Sequence, residues 1–191
     1  MSAFLINLFD KSEMSLEEKS FIASKFKQVK FKKGDYLLSA GSLAHHYWYV
    51  ESGSLRAYAL NQAGEEITTH FYFNEDIVMD WTAFFLRQPM QESIQALSDC
   101  TCWELDFNSF QTLFHSIQNF REFGRATLVR SYTGLKQLHL DHITMNAKDR
   151  YLQLLKEKPS IIQNATLKHL ASYLGITDTS LSRIRKELTN Q

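Results

Sequence analysis

The residues best suited to chemistry stand near the C-terminus, in LKHLASYLGITDTSLSRIRKEL, residues 167–188. Thr177, Asp178, Thr179, Ser180, Ser182, Arg183, Arg185 and Lys186 share a segment whose Leu181, Ile184 and Leu188 recur at helical steps. The apolar three predict an inward face and leave the hydroxyls and cations outside. Such a face suits a DNA major groove, where Arg grips guanine edges and Ser or Thr reaches bases or phosphates. Asp178 is the odd member. At a helix start the macrodipole favours a carboxylate, and a carboxylate can also accept from a cytosine amine. The plainer account of the same residues is the solvated face of an ordinary helical hairpin.

What must position that face is a preceding helix. Leu167, Leu170, Ala171 and Leu174 give it one apolar side, and small Ala171 permits a close crossing. Gly175 supplies the turn, Ile176 an apolar anchor and Thr177 an N-cap. Together these spacings predict a helix-turn-helix.

Charge first argues against that reading, because 21 Lys and Arg balance 21 Asp and Glu. The balance is not uniform. Residues 1–145 hold 13 basic and 17 acidic side chains, and residues 146–191 hold 8 and 4. An acidic body of −4 joins a basic tail of +4, and the tail carries the motif. This asymmetry permits a nucleic-acid surface without establishing one.

Other chemistries find little material. Cys100 and Cys102 are the only cysteines, too few for an iron–sulfur cluster or a disulfide framework. Two apart on a strand, they share a face and predict core packing. His45 and His46 are adjacent and would point to opposite faces of a strand, so they cannot chelate together. The His-x-His pattern of a metal-cupin enzyme is missing. No metal, no cofactor and no enzymatic activity are therefore expected. No apolar run approaches the roughly 20 residues of a membrane span. The N-terminus lacks the pattern of a secretory signal, so a cytoplasmic setting is expected.

The body reads as strands. Residues 15–27 predict a short helix, with Ser15 and Glu18 spaced as a capping box. From Val29 to Leu105 short aromatic and branched runs alternate with turns. Tyr36–Leu38, Tyr47–Val50, Leu55–Leu60, Ile67–Phe73 and Ile94–Leu97 are among the candidate strands. Gly34, Gly41, Gly53 and Gly64 fall between them, which predicts a sandwich, roll or barrel.

From about Phe107 the pattern turns helical. A seam of Gly124, Leu128, Ser131, Leu135, Leu138, His142 and Met145 has coiled-coil spacing. It fits a helix packed on its own strand domain or a dimer seam. A helix of about 26 residues would span about 39 Å, a length that favours a second chain.

Roll, long helix and helix-turn-helix in this order resemble the Crp/Fnr family of bacterial transcription regulators. Phe31, Lys33, Gly34 and Asp35 followed by Gly41, and Tyr47–Trp48–Tyr49–Val50 followed by Ser52–Gly53, look like the opening of the family's cyclic-nucleotide-binding roll. Gly64–Glu65–Glu66–Ile67 looks like its next hairpin. The resemblance implies an α+β chain: a β-roll over residues 1–117, a dimerisation helix over 118–145 and a DNA-binding tail over 146–191. It implies a homodimer on a near-palindromic DNA site, with RNA polymerase as a further partner. It also implies an effector pocket between roll and long helix. The chain stops three residues after Leu188, so a complete second wing strand is not expected, and basic residues near Lys148, Arg150 and Lys168 would assist the helix.

The resemblance fails where the family's nucleotide binders hold the phosphate. Met79 and Asp80 stand where the family has Gly and Glu, and Met90 and Gln91 where it has Arg and a small hydroxyl residue. A thioether carries no charge, and a phosphate buried without a cation is costly. Arg87, a helical turn away, is the one candidate replacement. Leu135 and Lys136 replace the Thr–Ser pair that the family's cyclic-AMP readers offer to adenine. Met79, Asp80, Trp81, Arg87, Met90, Gln91, Leu135 and Lys136 are thus the expected effector positions, for an effector that is not cyclic AMP. Trp81, Phe84, Phe85 and Trp103 fit either a hydrophobic interior or an apolar effector pocket. The alternative function is a small-molecule sensor or interaction protein without productive DNA binding.

Overall fold

The structure is a computed structural model that describes residues 2–189. The wing expectation turns on residues after Thr189 and lies outside the described residues. Two short helices open the chain, α1 (Ala3–Leu8) and α2 (Leu16–Ala23). The capping box of α2 is present: the Glu18 amide donates to Ser15 Oγ at 3.1 Å and the Ser15 amide to Glu18 Oε2 at 2.8 Å.

Eight strands follow among the described residues, interrupted by α3 (Trp81–Leu86). They are β1 (Lys27–Phe31), β2 (Tyr36–Leu38), β3 (His46–Ser52), β4 (Leu55–Leu60), β5 (Glu66–Tyr72), β6 (Ile77–Val78), β7 (Ser93–Ala96) and β8 (Cys100–Asp106). Two antiparallel four-stranded sheets result, in the orders β1-β8-β3-β6 and β2-β7-β4-β5. The expected strands are all present: Tyr36–Leu38 and Leu55–Leu60 have the expected ends, and the ends of the other three move by one or two residues. At the β3–β4 turn Gly53 has a φ of +97°, and a Cβ there would meet the Asp99 carbonyl and Cys100 Sγ at 2.6 Å. Only glycine fits that approach. Cys100 and Cys102 are buried, and desolvation first of all raises both thiols, Cys102 to about 12. They are packing groups that stay protonated.

Aromatic side chains fill the roll. Tyr47 meets Tyr49, Phe84 and Phe110 nearly edge-on at 5.6–6.0 Å between ring centres. Phe9 of the N-terminal segment caps this cluster against Phe123 at 5.1 Å. Phe84 belongs to the interior, whereas Phe85 is exposed and Trp81 and Trp103 are half-buried.

After α4 (Phe107–Ser116), α5 runs from Gln118 to Thr144. Its 27 residues extend about 40 Å. Phe120 and Thr127 are buried, and the Phe120 ring meets Phe110 of α4 at 6.0 Å. Beyond them the helix turns apolar side chains outward: Leu128, Val129, Tyr132, Leu135, Leu140 and Ile143 are 42–66% exposed. The seam read from the sequence is divided. Leu128 and Leu135 are exposed, while Gly124, Ser131, Leu138 and Met145 are half-buried.

The tail contains α6 (Ala147–Glu157), α7 (Ile161–Asn164), α8 (Leu167–Tyr173) and α9 (Asp178–Thr189). Tyr151, Leu154, Ile161, Leu170, Ala171, Leu174 and Leu181 form its core, completed by Phe71 and Leu97 from the roll. The first helix of the pair, α8, lies on β5. Ser172 Oγ donates to Thr68 Oγ1 at 3.0 Å, the Thr68 amide donates to Ser172 Oγ at 3.2 Å, and Tyr173 meets Phe71 edge-on at 5.2 Å. Lys158 Nζ donates to the Phe71 carbonyl at 3.0 Å.

Candidate functional site

The turn between α8 and α9 is built by local hydrogen bonds. The Gly175 amide donates to the Ser172 carbonyl at 3.1 Å, and the Ile176 amide to the Ala171 carbonyl at 3.0 Å. This pair of bonds is the Schellman arrangement, and Gly175 takes the left-handed φ of +66° that it requires. Thr177 then caps α9: its Oγ1 accepts from the Ser180 amide at 3.2 Å. Leu181 is fully buried, and Ile184 and Leu188 pack beside it.

With those three inward, the turn of about 100° per residue puts Thr179, Ser182, Arg183 and Lys186 farthest from the core. Asp178 and Arg185 lie on one flank, and half-buried Ser180 on the other. Arg183, Arg185 and Lys186 are exposed, and among the described residues no acid pairs with them. Lys168 is exposed on α8. Arg150 behaves differently. Its guanidinium donates to the Met145 and Leu174 carbonyls, each at 2.7 Å, and so ties the end of α5 to the end of α8. It serves the frame, neither as a surface ion pair with Asp149 or Glu157 nor as an open cation.

The expected effector positions separate. Met79, Asp80, Trp81, Gln91 and Leu135 line one cleft of about 1320 Å³ between the roll, α5 and the tail. Ordinary ligand pockets measure about 300–1,000 Å³. Asp80 also caps α3, its Oδ1 accepting from the Ala83 amide at 2.9 Å. Met90 is 3% exposed and belongs to the core of the roll. Arg87 closes α3 with a φ of +56° and points elsewhere. Its guanidinium donates to the Ala44 carbonyl at 3.0 Å, approaches His45 Nδ1 at 3.3 Å and covers the Phe107 ring. Lys136 is exposed and is not among the residues that line the cleft.

Sequence reasoning missed several lining groups: Tyr49, His70, Tyr72, Glu92, Arg130, Lys158 and Tyr173. The alternation of β5, which sets His70 and Tyr72 on one face, was the only local signal for any of them. Burial first, and then the charge of Asp80, raises the Glu92 carboxyl above its usual range. Asp76 accepts from the Phe73 amide at 2.9 Å and lies 3.5 Å from Lys158 Nζ.

Comparison with known proteins gives this geometry its relatives. Residues 28–116 match the cyclic nucleotide-binding domain. The anaerobic regulatory protein of Haemophilus influenzae is 22% identical over 187 residues, covering 92% of this chain and 71% of that protein. FixK2 from Bradyrhizobium japonicum superposes with a TM-score of 0.75 at 15% identity, over 87% of this chain and 85% of that one. A chain from Eubacterium rectale classed with the transcriptional regulators of the Crp/Fnr family gives a TM-score of 0.74 at 18% identity, over 96% and 88%. With its roll matched as a cyclic nucleotide-binding domain, and that roll followed by a long helix and a helix-turn-helix, the chain has the fold of the Crp/Fnr transcription regulators.

Proposed function

We propose that this chain acts as a homodimer that binds a specific, near-palindromic DNA site through α9 and adjusts transcription in response to an effector other than cyclic AMP. The observation that carries the reading is the open face of α9, where Thr179, Ser182, Arg183 and Lys186 stand outward and, among the described residues, the cations lack acid partners. Arg183 offers a planar fork for a guanine edge, while Lys186 and the hydroxyls suit phosphates.

Dimerisation is supported by the apolar side chains that α5 leaves in solvent, a patch of the kind that marks an interface. A two-fold dimer sets its reading helices about 34 Å apart, one turn of DNA. Leu135 belongs both to that patch and to the cleft, so a partner helix would lie beside the effector space. RNA polymerase is the further partner that transcription requires, and the cytoplasm is the compartment where all three meet.

The effector reading rests on charge. A phosphate lodged at the cassette would meet the carboxylates of Asp80 and Glu92. Met90 gives it no cation, and the Arg87 guanidinium is engaged with Ala44 and His45. Gel-shift titration against genomic fragments over a range of salt tests the function. Binding that discriminates among fragments beyond the phosphate contribution is the expected result. Weak binding, blind to sequence at every salt concentration, would overturn it.

A further inference from the structure

The cleft holds polar groups that DNA binding does not use. Tyr49 and Tyr72 are 5% and 8% exposed, and both reach the cleft. Their rings are packed, Tyr49 against Phe9 and Tyr72 against His70. Neither phenol has a hydrogen-bond partner among the described residues. Neither hydroxyl is sealed inside the protein, so each is open to a ligand in the cleft.

The chemistry around Tyr72 selects the sign of that ligand. The charges of Glu92, Asp76 and Asp80 all act on its hydroxyl. Asp76 has Lys158 beside it, but among the described residues no Lys or Arg pairs with Asp80 or Glu92. Two carboxylates in a half-enclosed space repel one another, and a cation between them relieves both. The walls add aromatic faces from Trp81, Phe123 and Tyr173, which attract organic cations.

We propose that the cleft binds a small organic amine, its ammonium between Asp80 and Glu92 with the Tyr72 hydroxyl as third acceptor, and its apolar body against Trp81. An ammonium has three donors and no acceptor, which matches two carboxylates and a phenol oxygen. The proposal rests on the reading of this cleft as the effector site and gives that effector the charge opposite to a nucleotide's.

Calorimetry on the full chain tests it, with phenethylamine and putrescine as probes and 2-phenylethanol and cyclic AMP as neutral and anionic controls. At least one amine should saturate the protein with a Kd of about 1 mM or tighter, with both controls at least about tenfold weaker. Glu92→Gln should weaken the amine at least about tenfold, the loss of one charge-assisted contact. Tyr72→Phe removes only an unpartnered hydroxyl, so it should keep the wild-type Tm and weaken the amine several-fold, even if Glu92→Gln fails to fold. No saturation by either amine up to about 10 mM, undiminished binding in both variants, or tighter binding of cyclic AMP would overturn the proposal. DNA binding measured in parallel separates the two claims. Specific DNA binding without amine binding sinks this inference alone. Amine binding without DNA binding sinks the regulator reading alone.

Discussion

The starts of α3 and α9 each carry an aspartate, and the two face opposite chemistry. Asp178 opens α9 in the company of Arg183, Arg185 and Lys186, all exposed and without acid partners among the described residues. Asp80 opens α3 in a cleft that it shares with Glu92 and Asp76; Lys158 lies by Asp76, and Arg87 at the end of α3 is turned toward Ala44. Exposed cations surround the one aspartate, and carboxylates stand near the other. Net charge hides this contrast, because the whole chain balances. The lesson is that one chain can set surfaces of opposite charge at similar helix starts.

The largest expected effect comes from trying to erase the contrast. Met90→Arg restores a cation to the cassette in sequence, yet Met90 is buried in the roll core. An unpaired guanidinium there should destabilise the roll by about 4 kcal/mol or more, without gain of nucleotide binding. Denaturant melts and cyclic AMP calorimetry check both halves. A stable variant that binds cyclic AMP would mean the cleft had lost nothing but one side chain.

Next in size is the joint change Leu128→Glu and Leu135→Glu. Both positions are at least half exposed, so the protomer should keep its Tm while sedimentation shows a monomer. DNA affinity should fall about 100-fold or more, the loss of linked half-site binding. A monomer that still binds full-length sites with wild-type affinity would refute the dimer.

A smaller loss is expected from Arg183→Ala. If Arg183 reads a base, discrimination at one base-pair position should fall by about 1–3 kcal/mol, with the rest of the site still read. A uniform loss across all sequences would make Arg183 a phosphate contact instead.

The smallest effect lies where the two regions join. His169 on α8 faces Arg56 of β4 and Glu66 of β5, with Lys168 beside it, and its Nδ1 is buried without a partner. Desolvation first, then Arg56, holds its pKa down to about 4. The neutral ring is therefore the form the docked tail accepts. Its contribution is present above the ordinary histidine value of about 6.5 and is lost as pH falls from there toward 4. Lowering pH from 7.5 to 5.5 should depress the wild-type Tm more than that of His169→Asn. Equal shifts would show that other groups carry the pH dependence.

What was legible in the sequence was mostly local. Ala171, Gly175 and Leu181 announce the helix-turn-helix because its bonds close within a few residues. The capping box of Ser15 and Glu18 is legible for the same reason. The strand runs were readable from branched and aromatic residues, although β6 is only two residues long and left no pattern. The roles of long polar side chains were not legible. Arg150 looked like a surface cation and instead holds carbonyls of two helices, one of them 24 residues away. Arg87 stood one helical turn from the cassette, and its left-handed backbone turns it away. The docking of α8 on β5 joins Thr68 to Ser172 across 104 residues, a contact that no local periodicity encodes. Tyr49 and Tyr72 were visible as strand residues, but only the fold leaves their hydroxyls facing a shared cleft.

The most direct test of the contrast is fluorescence anisotropy of the full chain on its selected DNA site, titrated with cyclic AMP. The account predicts sequence-specific binding already present without the nucleotide and unchanged at saturating cyclic AMP. Specific binding that arises only when cyclic AMP is added would contradict it.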